Sequence, residues 1–128
     1  MNKAISTDKA PAALGPYSQG IVAGGMLFAS GQVPINPATG ELAGETIEEQ
    51  AKQVFENLSQ VLVASGAWFN DVVKTTVFLT DLANFATVNE IYAGYFHNPY
   101  PARSCVQVGA LPKGSLLEVE LIAKLPEA

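Results

Sequence analysis

TIEEQAKQVFENLSQVLVASG, running from Thr46 to Gly66, decides the fold of this chain, because it reads as one complete amphipathic helix with both ends marked. Thr46 followed three residues later by Glu49 is a capping-box pattern, in which each side chain satisfies a backbone N–H that the first helical turn leaves unpaired. Ile47, Ala51, Val54, Phe55, Leu58, Val61 and Leu62 then recur at helical spacing, and Gly66 supplies the stop. A helix with one apolar stripe must bury it against another layer, so the flanking segments are read for a sheet.

Both flanks supply one. Downstream, Val72 to Leu79 is β-branched and aromatic, as a central strand is. Phe85, Val88, Tyr92, Tyr95 and Phe96 suit a second amphipathic helix, ended by Pro99 and Pro101. Arg103 to Val108 and Leu116 to Ala123 read as two further strands, the last alternating Leu117, Val119 and Leu121 against Glu118, Glu120 and Ile122. Upstream, Gln19 to Ser30 reads as a hairpin about Gly24-Gly25, and Gly31 to Gly44 holds too many breakers for a regular element. The class is α+β, with one domain over residues 1–128 and no repeat, linker or low-complexity tract.

Composition narrows the function. The chain is 48% apolar and 15% charged, below the ~25% charged residues usual for a soluble domain, which suggests that another subunit covers part of the surface. A net charge of −5 repels phosphate backbones and anionic lipid, so neither nucleic acid nor a membrane surface is an expected partner. No apolar run approaches the ~20 residues of a membrane helix, and the first residues lack an apolar signal core. One cysteine, Cys105, excludes an internal disulfide, and with His97 the only imidazole there is no zinc-binding cluster; a reduced, cytoplasmic location is expected.

Against that background Arg103 stands out. Only seven residues are Lys or Arg, and this one falls in Tyr100-Pro101-Ala102-Arg103-Ser104-Cys105-Val106, which reads as a buried strand. A buried guanidinium needs a partner, either an internal carboxylate or an anionic ligand. Its planar fork makes a small organic acid the ligand to test first. Glu118 and Glu120 share the face of their strand opposite the Leu and Val face, looking either into a site or into solvent. Arg103, Cys105 and Gln107 share a face likewise, and whether an Arg and a Glu meet across a sheet or a subunit boundary is left open by the sequence. Cys105 suits a small buried residue acting through its backbone better than a nucleophile. His97 suits a helix end or the surface, and Tyr92, Tyr95 and Phe96 suit packing better than an aromatic ligand cleft.

These residues lie in blocks that together resemble one family. Ala10-Pro11-Ala12-Ala13-Leu14-Gly15-Pro16-Tyr17-Ser18-Gln19-Gly20, Ser30-Gly31-Gln32-Val33-Pro34, Lys74-Thr75-Thr76-Val77-Phe78, Phe85-Ala86-Thr87-Val88-Asn89, Pro101-Ala102-Arg103-Ser104-Cys105-Val106, Leu111-Pro112-Lys113 and Glu118-Val119-Glu120 follow in order over nearly the whole chain. They resemble the Rid (YjgF) reactive-intermediate deaminases, in particular the RidA branch.

The resemblance implies a chorismate-mutase-like fold, a six-stranded mixed sheet with two helices on one face, assembled as a homotrimer with sites between subunits. It implies hydrolysis of reactive 2-imino acids, 2-iminobutanoate and 2-iminopropanoate, to 2-oxo acids and ammonia, without cofactor or metal. By position, Arg103 corresponds to the residue that grips the substrate carboxylate and Glu118 to the acid that activates water. Tyr17 corresponds to a cleft wall, the backbone at Gly31 and Cys105 to further polar contacts, and Ser30 and Asn89 to supporting cleft residues. Relatives often carry an Arg directly before Leu-Pro-Lys, where this chain has Ala110. A different class of function, a non-catalytic 2-oxo acid-binding regulator, would use the same Arg103 without needing Glu118.

Overall fold

The computed structural model describes residues 1–126. Helix α1 spans Ile47–Ser65, and its termini are those the sequence marks. Thr46 Oγ1 accepts from the Glu49 N–H at 3.2 Å, and the Glu49 carboxylate accepts from the Thr46 N–H at 3.4 Å. Gly66 ends the helix in the left-handed region, at φ 85°, where a side chain would be strained.

The strands are β1 Lys3–Ile5, β2 Gly20–Ala23, β3 Met26–Gln32, β4 Val72–Leu79, β5 Ala102–Gln107 and β6 Leu117–Lys124, and the second helix, α2, is Phe85–Ala93. They form one sheet in the order β1-β2-β3-β6-β4-β5, antiparallel throughout except for the parallel pair β4 and β5. The β4 to β5 crossover carries α2, as a parallel connection requires. Gly24 and Gly25, at φ 57° and 76°, turn the β2–β3 hairpin.

Burial alternates along the interior strands. Leu27 and Ala29 of β3, Thr75, Val77 and Leu79 of β4, and Leu117, Val119 and Leu121 of β6 are buried on one face, where α1 contributes Val54, Phe55, Leu58, Val61 and Leu62. Each such aliphatic or aromatic side chain contributes about 1.5–3 kcal/mol by leaving water. Phe55 centres an aromatic cluster, stacked on Tyr95 at 4.6 Å and edge-on to Phe69, Tyr92 and Phe96. The opposite face carries no helix among the described residues. Phe28 and Val106 are 46% and 43% exposed there, beside half-buried Phe78 and Ile122.

Two readings need correction, and one strand carries no local sequence signal. The strand bearing Arg103 is not buried: among the described residues β5 is last in the sheet, with one neighbour and a free edge, and every residue of it except Cys105 is exposed. The second helix stops at Ala93, capped by Gly94, so Tyr95 and Phe96 reach the core from the turn beyond it. The sixth strand, β1, is three residues long, too short to show a periodicity, and it exists by pairing with β2.

Candidate active site

Arg103 points to the helix side of the sheet edge. The register sets it beside Thr75 of β4, which is fully buried. Its Nη1 donates to Asn89 Oδ1 at 2.6 Å, and its guanidinium carbon lies 4.8 Å from the Tyr92 ring centre and 5.4 Å from that of Phe85. Phe85, Asn89 and Tyr92 are one helical face of α2, at i, i+4 and i+7. Arg103, Asn89, Tyr92, Tyr100 and Pro101 border an open recess of about 580 Å³. Arg103 Nη1 is thus held by a neutral oxygen and its guanidinium is flanked by aromatic rings, a setting that leaves its positive charge available to an anion.

Cys105, two residues on, faces the core beside Val77. Burial raises its thiol pKa, opposed by the nearby Arg103 charge, so the group is kept as a thiol.

Glu118 belongs to the other face. It pairs with Phe78, which pairs in turn with Val106, so the three form a row across β6, β4 and β5. Burial raises its carboxyl pKa, and the charge of Glu120 on the same face raises it further. Between Ala29 and Gln32 the β3–β6 register slips: three steps on β3 match two on β6. This bulge brings Gly31 against Glu118. A Cβ at position 31 would overlap the carboxylate, meeting Cδ at 2.8 Å and Cγ at 3.0 Å. Glycine at 31 therefore leaves room for the carboxylate in this position, which a side chain there would push aside.

Ser30, also in the bulge, donates from Oγ to the Ser18 carbonyl at 2.6 Å, which ties the Tyr17-bearing loop to this end of β3. Tyr17 is 54% exposed and borders an apolar recess of about 310 Å³ with Leu14, Val33, Ile35 and Lys113. The structure thus brings Ser30, Gly31 and Glu118 together and, separately, Asn89, Arg103 and Cys105. The two groups do not meet within one chain. Arg103 is level with Thr75 and Glu118 with Phe78, which sets them about 10 Å apart along the strands and about 10 Å across two strand spacings, on opposite faces.

Two contributions escaped the sequence reading. Gln19 is buried, and its amide donates to the carbonyls of Thr7, Ala10 and Pro11 while accepting from the Thr7 N–H at 2.7 Å, which anchors the loop leading to Tyr17. Nothing in a hydrophobic pattern marks a buried amide. Tyr92, whose spacing suits packing better than a ligand cleft, does both: it packs in the core and faces Arg103, and its spacing from Phe85 and Asn89 is the signal for it.

Comparison with known proteins agrees with this architecture. The family profile described as Endoribonuclease L-PSP matches residues 7–125. The 2-iminobutanoate/2-iminopropanoate deaminase of Mus musculus is 51% identical over 123 residues, covering 96% of this chain and 91% of that protein. Among solved structures, a Rid-family protein, YyfA of Yersinia pestis, superposes with a TM-score of 0.95 at 50% identity, covering 98% of this chain and all of that one. Escherichia coli TdcF, solved with bound serine, gives 0.91 at 47% identity over 97% and 99%. With a profile match along almost its whole length and relatives near half identity, the chain belongs to the Endoribonuclease L-PSP family, the family of the Rid proteins.

Proposed function

We propose that this protein is an imine deaminase that hydrolyses 2-imino acids to 2-oxo acids and ammonia, in an active site shared between copies of the chain. The observation that carries the proposal is the placement of an arginine fork on one sheet face and a half-buried acid, seated on a glycine, on the other. Each supplies what the other lacks. Arg103 grips the substrate carboxylate, and the 2-imino group then lies one bond away at a defined distance from the fork. Glu118, with its raised pKa, is a stronger base than an ordinary carboxylate; it orients a water and takes its proton as the oxygen attacks the imine carbon. Glu118 then returns that proton to the amino nitrogen of the tetrahedral adduct; as the C–N bond breaks, the adduct's hydroxyl proton passes to Glu118, and ammonia and a 2-oxo acid leave. Gly31 and Cys105 offer backbone N–H groups to the substrate, with Tyr17, Ser30 and Asn89 around the cleft.

A homotrimer, closed by cyclic symmetry, would give three equivalent sites, each joining Arg103 of one copy to Glu118 of the next. The uncovered sheet face, with Phe28, Val106, Phe78 and Ile122, supports such an assembly, since it leaves apolar surface in water in the single chain. Support for the substrate comes from the name of the mouse relative, and support for a small amino-acid-like ligand from the serine in TdcF. The family description as an endoribonuclease meets a chain of net charge −5 with a single histidine, a poor match to a phosphodiester substrate. Among the described residues no helix is long and apolar enough to cross a membrane. A reduced, cytoplasmic setting is proposed with the activity.

The bound serine in TdcF also motivates a second reading, a 2-oxo acid-binding regulator without turnover. One assay separates the two. Release of 2-oxobutanoate is followed after a threonine dehydratase generates 2-iminobutanoate, with the wild type compared with Arg103→Ala and Glu118→Ala. Acceleration lost in both variants is the expected result. Binding of 2-oxobutanoate without acceleration would leave only the regulator.

A further inference from the structure

We infer that Thr75 and Tyr92 are positioning residues for Arg103, acting through one buried hydroxyl–hydroxyl bond. The inference rests on the proposed role of Arg103 as a carboxylate clamp. Thr75 is fully buried and Tyr92 nearly so, and their hydroxyl oxygens lie 2.7 Å apart. Thr75 is also the residue that β4 places directly beside Arg103 in the parallel register. The strand that carries the threonine thus neighbours the strand that carries the arginine, while the tyrosine that the threonine holds returns from α2 with its ring 4.8 Å from the guanidinium carbon. These three residues close a loop of contacts linking β4, β5 and α2.

The loop has a purpose that packing alone does not require. A valine would fill the Thr75 site with the same shape and no polar atom, and a phenylalanine would fill that of Tyr92; a buried hydroxyl pair in an otherwise apolar interior is worth keeping where it fixes orientation. Arg103 lies on an exposed edge strand, and among the described residues one side chain, Asn89, holds one of its nitrogens. A long side chain in that position has several rotamers, and a bidentate grip needs one of them. The ring of Tyr92 fixes the guanidinium plane, with Phe85 further along the same helical face, and the Thr75 hydroxyl fixes the tilt of that ring.

The test uses the fact that Arg103 is the only arginine in the chain, so ¹⁵N-arginine labelling gives one side-chain signal set. Wild type, Thr75→Val, Thr75→Ser, Tyr92→Phe and Tyr92→Leu are compared by guanidinium NMR, by calorimetric titration with 2-oxobutanoate, and by the KM and kcat of imine hydrolysis. Held guanidinium protons give separate Nη–H lines in the wild type. Thr75→Val and Tyr92→Phe break the same bond; each is expected to average those lines, weaken 2-oxobutanoate and raise KM by about three- to tenfold, with kcat changed less. Thr75→Ser restores the hydroxyl and the wild-type values, and Tyr92→Leu, which removes the ring, costs more than either.

A folded Thr75→Val with wild-type Arg103 lines and wild-type affinity would overturn the inference, even with a lowered melting temperature, because the bond would then serve stability alone. Should the wild type neither turn over imine nor bind 2-oxobutanoate, the proposed function falls. The Arg103 spectrum of the same variants then still decides whether Thr75 and Tyr92 hold the guanidinium.

Discussion

Glu118 lies so close to the backbone of Gly31 that no side chain fits between them: a Cβ there would come within 2.8 Å of the carboxyl carbon. The bulge in β3 creates this approach, and an acid with a raised pKa is what it holds in place. Gly31→Ala should therefore displace the carboxylate while leaving the sheet intact. A shift of about 1 Å in a group that delivers water costs on the order of 100-fold in rate. Steady-state kinetics should find a loss of that size in kcat, with far-ultraviolet circular dichroism unchanged; a fully active Gly31→Ala would remove Glu118 from the proposed chemistry.

Glu118 should set the acid limb of the pH profile, and Glu120 should shift it. Burial is the larger cause of the raised Glu118 pKa and the charge of Glu120 the smaller, so Glu120→Gln lowers it part of the way towards an ordinary carboxylate. Because the proposed base must be ionised to act, kcat/KM should rise with pH through this pKa, and the rise should move to lower pH in Glu120→Gln. An unshifted limb would assign it to another group.

The same shift has a stability consequence of opposite sense. Glu118 is protonated more readily in the folded chain than in the unfolded one, so its contribution is most favourable below the unfolded pKa and is lost as pH rises through the folded one. Glu118→Gln, which cannot ionise, should melt at a higher temperature than the wild type at neutral pH, with the difference closing in acid. Calorimetry at two pH values checks this. The expected pairing of lost activity with gained stability is characteristic of groups kept for catalysis.

Phe28 tests assembly. It is 46% exposed on the uncovered face, and Phe28→Asp places a charge there without touching the helix-side core. Light scattering should show an oligomer for the wild type and a monomer for Phe28→Asp, with imine hydrolysis lost in the variant although Arg103 and Glu118 are both present. A monomer that retains full activity would place both groups in one chain's site, against their opposite faces in the sheet.

Thr46→Ala separates fold from function. Losing the cap should cost about 1 kcal/mol, read as a lower denaturant midpoint, with kcat/KM unchanged because α1 lies behind the sheet relative to Glu118.

What the sequence determined by itself is local. The capping box and apolar stripe of α1, the glycine turn of the β2–β3 hairpin and the alternation of β6 are each written within a few residues, because backbone hydrogen bonding and side-chain periodicity act at that range. The identities of Arg103, Glu118 and Gly31 were also legible, carried by the blocks around them. What only the tertiary structure decided is where those residues point and what they meet. A strand's sequence does not say whether it lies inside a sheet or at its edge, so Arg103 was read as buried when β5 has a free edge. Register between distant strands places Arg103 beside Thr75 and Glu118 beside Phe78, and through them on opposite faces. Likewise, the bulge that presses Gly31 onto Glu118 and the bond from Thr75 to Tyr92 join segments 87 and 17 residues apart, and arise from packing that no local pattern encodes.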